Sequence, residues 1–162
     1  MLRPGIDLAR ERQARQAAGC LTRTLQHDLY PDAVPTLTRL RDAGFAMGLA
    51  GNQSLEFETE IRALGLAVDF VASSARWGVE KPDPEFFRRI VAQSGLAPGE
   101  IAYVGDRLDN DVLPAMAMGM TGVFLRRGPW GVVHATWPEA ARADLRLESL
   151  AELPEALAGL PR

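Results

Sequence analysis

Cysteine is nearly absent from this chain: Cys20 stands alone among 162 residues. One thiol can neither close an internal disulfide nor build a thiolate metal cluster, and its scarcity fits a reducing compartment. Histidine is almost as scarce. His27 and His134 lie far apart with no partner at metal-ligand spacing, so both read as surface or packing residues. No apolar run approaches the roughly 20 residues of a membrane span, and the opening MLRPGIDLARER lacks the apolar core of a signal peptide. Positive charge is not in excess either: 18 Lys and Arg face 21 Asp and Glu, with no basic stripe of the kind that tracks a phosphate backbone. Neither nucleic acid nor a membrane is an expected partner, and a cytoplasmic location is expected. Serine-hydrolase elbows and glycine-rich dinucleotide loops are missing too.

What the chain does have is apolar content, at 47%, enough for the single core of one domain. Its pattern alternates helix and strand. Residues 6–28 are rich in Ala and Arg, carry Leu21 and Leu25 with Leu29 at four-residue spacing, and predict a helix that Pro31 stops. Asp32 reads as the cap of a helix over 33–43, and FAMGLA (Phe45–Ala50) as a short buried strand. The turn Gly51-Asn52-Gln53-Ser54 leads to a helix over 55–64, and DFVAS (Asp69–Ser73) to a second strand. After the loop SARWGVEKPDP, Asp83 caps and Pro84 opens a helix through Ser94 that buries Phe86, Phe87, Ile90 and Val91. IAYVG (Ile101–Gly105), a helix over 108–118, TGVFL (Thr121–Leu125) and a helix over 150–157 complete the series. Such alternation implies an α/β fold, a parallel sheet with helices on both faces, whose ligands bind beyond the carboxyl ends of the strands. Three polar segments fall at that edge: GNQS, the loop holding Lys81, and GDRLDND, with Asp106, Asp109 and Asp111 inside six residues.

The order GLAGNQS, EKPDPEFF, YVGDRLDNDV resembles the second, third and fourth motifs of the haloacid dehalogenase superfamily, mostly magnesium-dependent phosphohydrolases with a three-layer Rossmann-like core. The resemblance covers about residues 29–162, and its last motif is the most specific through its Gly-Asp-x-x-x-Asn-Asp spacing. It implies Asp106 as a ligand of Mg²⁺, with Asp111 behind it in the metal site, orienting water or pairing with lysine. That suits an ion that prefers a few carboxylates plus water and phosphate oxygens. Lys81 would balance charge on the transferring phosphoryl group. Asn52 and the amides around Gly51 would contact a phosphoryl oxygen, with Ser54 a substitute for the hydroxyl residue the family usually has where Gly51 stands. Asp109 reads as a helix cap. Trp77 reads as packing for its loop, and Arg126 and Arg127 as solvated.

One family element is not found. The nucleophile is the first aspartate of an Asp-x-Asp motif at the end of a central strand, and the only Asp-x-Asp here, Asp109-Asn110-Asp111, belongs to the fourth motif. Asp7 has neither a strand before it nor a second acid after it. Residues 1–28 resemble the returning end of a cap domain, with the core over 29–162. In the family the first strand lies between those matching Phe45–Ala50 and Ile101–Tyr103, so direct pairing of these two, or a strand from elsewhere, is expected. A homodimer is one way to cover the defect. Two functions fit: a phosphohydrolase of a small phosphorylated metabolite whose nucleophile lies outside these residues, or an inactive module that binds metal or anion or serves as an interaction surface. A phosphoacceptor receiver domain would carry its acid pair before its lysine, and dehalogenation has no use for a metal turn; both fit less well.

Overall fold

The computed structural model describes residues 29–160. The helix expected over 6–28, with Asp7, Cys20 and His27, lies outside them. Five parallel-paired strands and seven helices follow: α1 (Ala33–Asp42), β1 (Gly48–Gly51), α2 (Leu55–Ala63), β2 (Phe70–Ser73), α3 (Ser74–Trp77), α4 (Pro84–Ser94), β3 (Ala102–Gly105), α5 (Leu113–Ala117), β4 (Thr121–Leu125), α6 (Gly128–His134), β5 (Leu145–Leu147) and α7 (Leu153–Ala158). The fold is the expected α/β architecture of parallel strands between helical layers.

The strands form two groups, β1 with β2 and β3-β4-β5. Register runs Gly48 to Phe70 through Gly51 to Ser73 in the first, and Ala102 to Thr121 through Gly105 to Phe124 in the second. Among the described residues β1 and β3 are not paired, so the expected direct closure of these two strands does not occur. Closing them would force the helices that flank each group into a space set by side chains already packed, and close-packed cores resist such shifts.

The alternation of β4 fixes which helices cover which face. Val123 and Leu125 pack with Leu40 of α1 and Leu153 of α7, whereas Phe124 between them packs with Leu108 and Val112. Beyond β3, Phe86, Phe87 and Ile90 of α4 bury against Tyr103, Ala115 and Met120. Aromatic edges run through this cluster from Trp77 to Phe86, Phe87 and Tyr103, with ring centroids 5.1, 5.8 and 5.3 Å apart. Asp83 accepts the Glu85 N–H at 2.8 Å, Pro84 takes the first turn and Gly95 ends α4 at φ 71°, all as expected.

Asp32 is a correction. It makes no side-chain cap on α1; its carboxylate accepts from Arg127, from Ser149 Oγ at 2.7 Å and from the Leu150 N–H at 3.0 Å. A longer-range set of donors outcompeted the local one. Arg127 also lies over the Tyr30 ring at 4.2 Å and is largely covered, whereas Arg126 is exposed, as expected, in a surface pair with Glu148. Helix α6 begins at Gly128, directly after the two arginines.

Buried Glu58 ties α2, β2 and α3 together. It accepts from Arg76 Nε at 2.8 Å, Arg62 Nη2 at 3.0 Å and Ser73 Oγ at 3.0 Å. Burial works against its charge, but the bonds from Arg76, Arg62 and Ser73 outweigh it and hold the carboxyl below the usual glutamate range. Because the folded value is depressed, this stabilisation is fully present above the unfolded glutamate range and is lost as pH falls through the folded value. Glu58→Ala is expected to cost about 2–3 kcal/mol near neutral pH, less than the roughly 3–5 kcal/mol for a fully buried broken pair because both arginines reach water. The deficit should shrink in acid, which urea unfolding at several pH values reads out. A deficit independent of pH would assign the loss to packing alone.

Candidate functional site

Each polar segment follows a strand that ends at the same edge of its sheet. After β1, Ser54 caps α2 by accepting the Phe57 N–H at 3.3 Å. A Cβ on Gly51 would meet only Gln53 Cγ, at 3.5 Å, so the approach to this turn is open. Asn52 does not project its amide into that space. Its Nδ2 donates to the Lys81 carbonyl at 2.9 Å, and its Oδ1 accepts the Lys81 N–H at 2.7 Å. Asn52 and Ser54 line a polar cleft with Gln53, Ser74 and Glu80.

The Lys81 side chain is 11% exposed, and its ammonium donates to Asp111 Oδ1 at 2.6 Å. It lies 5.8 Å from the Phe86 ring centre and 5.7 Å from that of Tyr103. Burial opposes the lysine's charge, yet Tyr103 and Asp111 outweigh it and hold the pKa above the usual lysine range. Of these two, Asp111 supplies the operative charge near neutrality, since burial pushes the Tyr103 phenol up to about 12.

Asp111 is almost fully buried and both of its oxygens are occupied: Oδ1 by Lys81, with Asn110 Nδ2 at 3.3 Å, and Oδ2 by the Arg107 N–H at 3.2 Å. Of the two roles the sequence left open for it, the geometry shows the pairing with lysine. Gly105 makes room for this. A Cβ there would sit 2.4 Å from Asp111 Cβ and 2.7 Å from its Oδ2. Gly105→Ala is therefore expected to lengthen or break the Lys81–Asp111 bond and to cost about 1–3 kcal/mol, measurable by denaturant unfolding. A variant as stable as the parent would show that the turn yields freely.

Asp106 is half-buried and free of side-chain donors among the described contacts. Burial first, then the charge of Asp111, push its carboxyl above the usual aspartate range, against the pull of Lys81 and Arg107. Such a carboxylate gains from a cation. Among the described residues no three His, Cys, Asp or Glu side chains are grouped to hold a metal unaided. The donor set still fits Mg²⁺, which accepts one or two carboxylates and completes its shell with water and substrate oxygens. Gly128 helps keep this carboxylate accessible, since even a Cβ there would lie 3.6 Å from Asp106 Oδ2.

Asp109 caps nothing: it chelates Arg107, at 3.0 and 2.8 Å, and this bond holds its carboxyl low. The arginine in turn lies 4.7 Å over the Trp130 ring. The helix expected over 108–118 begins as one wide π turn, Leu108–Val112, in which the Val112 N–H bonds to the Arg107 carbonyl at 3.1 Å. Buried His134 sets its start, accepting the Leu108 N–H on Nδ1 at 2.9 Å while stacked on Trp137 at 3.9 Å. Sequence reasoning missed this function of His134; the tryptophans four residues before it and three after were the available signal.

Residues 4–119 match the family model for haloacid dehalogenase-like hydrolases. A glyceraldehyde 3-phosphate phosphatase of Methanopyrus kandleri is 43% identical over 105 residues, 62% of this chain and 45% of that protein. A phosphoserine phosphatase of Thermus thermophilus is 36% identical over 154 residues, 92% of this chain and 60% of that one. The crystal structure of a HAD phosphatase from Thermococcus onnurineus aligns with a TM-score of 0.67 at 32% identity, over 81% of this chain and 59% of that one. This chain thus spans about half the length of the relatives it matches. Its motif order, its parallel sheets and the site at their carboxyl edge agree with one another, and the chain belongs to the haloacid dehalogenase-like hydrolases.

Proposed function

We propose that these residues form the phosphoryl-binding and metal-supporting part of a Mg²⁺-dependent phosphohydrolase that acts on a small phosphorylated metabolite. The observation that carries this reading is the buried Lys81–Asp111 pair beside a carboxylate, Asp106, that forms no ion pair among the described residues. Lys81 faces the phosphoryl oxygens and offsets their charge as the group transfers, while Asp111 holds the ammonium in place and keeps it charged. Asp106 would hold Mg²⁺, which when bound supplies further charge neutralisation. Main-chain N–H groups of the 51–54 turn bind a phosphoryl oxygen, with the Ser54 hydroxyl at the same turn. The nucleophile is a carboxylate on a strand between β1 and β3, supplied by sequence outside the described residues. The metabolite class follows the two relatives described above, whose names specify glyceraldehyde 3-phosphate and phosphoserine, both small phosphate monoesters. An inactive anion-binding or metal-binding module is the alternative.

Titration of the ¹⁵N-labelled chain with inorganic phosphate and Mg²⁺, separately and together, tests the site. Mg²⁺ alone is expected to bind in the millimolar range or more weakly, because one or two carboxylates seldom suffice. The two together should bind more tightly than either alone and shift the amides of Asn52, Lys81 and Asp106. Absence of that cooperation would remove the phosphoryl site, and micromolar Mg²⁺ binding alone would show a metal site complete without substrate.

A further inference from the structure

We infer that Asn52 is the positioning residue of Lys81, holding the lysine's main chain. Both bonds of the Asn52 carboxamide go to one residue: Nδ2 donates to the Lys81 carbonyl at 2.9 Å, and Oδ1 accepts the Lys81 N–H at 2.7 Å. The partners are 29 positions apart, so the clamp joins the turn after β1 to the loop that follows α3. Among the described residues, Val79 packs against the core and the Lys81 ammonium bonds Asp111, but the loop's main chain has few bonds. Between Gly78 and Asp83 its own main-chain bonds are those from the Gly78 N–H to Ser74 and from the Asp83 N–H to Glu80.

Only a primary amide meets this demand at this length. It presents one donor and one acceptor in a plane, the complement of one residue's C=O and N–H, as a neighbouring strand would. Aspartate would keep the acceptor and lose the donor, and leucine would lose both. The geometry matters because Lys81 must leave the clamp at a fixed angle to pass between Phe86 and Tyr103 and reach Asp111 at 2.6 Å. An ångström of drift at its Cα would forfeit that bond, and catalytic geometry is sensitive at that scale. Asn52 thus acts through Lys81, a role that the sequence motif alone does not suggest.

The catalytic meaning of this clamp rests on the phosphohydrolase reading, but the clamp can be measured without turnover. In the wild-type chain the Lys81 side-chain protons, seated against two aromatic rings, are expected to show ring-current shifts, and the Lys81 amide to exchange at least about tenfold more slowly than that of exposed Glu80. In Asn52→Ala both signatures should collapse while the amide signals of α4 and β4 stay in place. Asn52→Asp should retain part of the amide protection and lose part of the shift. Unchanged Lys81 signals in Asn52→Ala would overturn the inference. So would a Lys81 amide unprotected in the wild-type chain, a result that stands even if the variants fail to fold. Inorganic phosphate with Mg²⁺, added to the wild-type chain, separates the two ideas: silent Lys81 signals there reject the phosphoryl role and leave the clamp intact.

Discussion

Incubated with an aryl phosphate ester and Mg²⁺, the 162-residue chain is expected to release no phosphate above the uncatalysed background. Family chemistry breaks the ester P–O bond as a carboxylate oxygen bonds phosphorus, the leaving oxygen takes a proton, and water then hydrolyses the acyl phosphate. Each described carboxylate at the site is committed elsewhere. Asp111 is bonded to Lys81 and the Arg107 N–H, Asp109 chelates Arg107, and Asp106 is the remaining acid suited to a cation. In the proposed site Asp106 would be left holding the metal, with no second free carboxylate beside it among the described residues to attack phosphorus. Joining an apolar strand that ends in Asp-x-Asp to the amino end, through a linker long enough to reach between β1 and β3, is expected to raise turnover by several orders of magnitude. Turnover by the chain alone that disappears in Asp106→Asn would show instead that some other carboxylate, Asp7 among them, serves as nucleophile. An extended chain that binds phosphate and Mg²⁺ yet stays silent would favour the inactive module.

Elements with a local code were legible in the sequence, and those with a nonlocal one were not. Asp83-Pro84 and Gly95 bracket α4 because cap, ring and glycine each act within one turn, and β4 was readable from five apolar or β-favouring residues in a row. Asp32 and Asp109 look like caps by the same local rules. Each instead follows an arginine, Arg127 at 95 positions away and Arg107 at two, since a charged donor outbids a backbone N–H. The motif order placed Lys81, Asp106 and Asp111 in segments beyond strand ends, where parallel sheets gather ligands. The direction of the Asn52 amide was beyond it: the partner lies in a loop whose path depends on how α3 packs, and α3 depends on Glu58. β5 and α6 escaped because LRL is short and GPWGVVH reads as a turn before it reads as a helix.

The other large effect concerns the pair at the centre of the site. Lys81→Met leaves Asp111 almost fully buried with its countercharge removed and Asp106 close by, so about 3–5 kcal/mol of stability is expected to go. Methionine keeps the apolar stem against Phe86 and Tyr103, so the loss is electrostatic in the main. Adding Asp111→Asn should then restore about 2 kcal/mol or more: the amide Oδ can still accept the Arg107 N–H, and no buried charge is left unpaired. Asp111→Asn alone strands the ammonium in the same way. Unfolding of all four proteins gives the coupling directly, and additive losses would show that the 2.6 Å contact carries no net interaction. Mg²⁺ provides an independent reading. With the ammonium gone, Arg107 is the cation left near the two carboxylates among the described residues and it is already held by Asp109, so Lys81→Met is expected to bind Mg²⁺ more tightly than the parent and to regain stability on its addition. If Mg²⁺ affinity were unchanged by loss of the lysine, Asp106 and Lys81 would not share one electrostatic site, and the balance of charge proposed for phosphoryl transfer would fail with it.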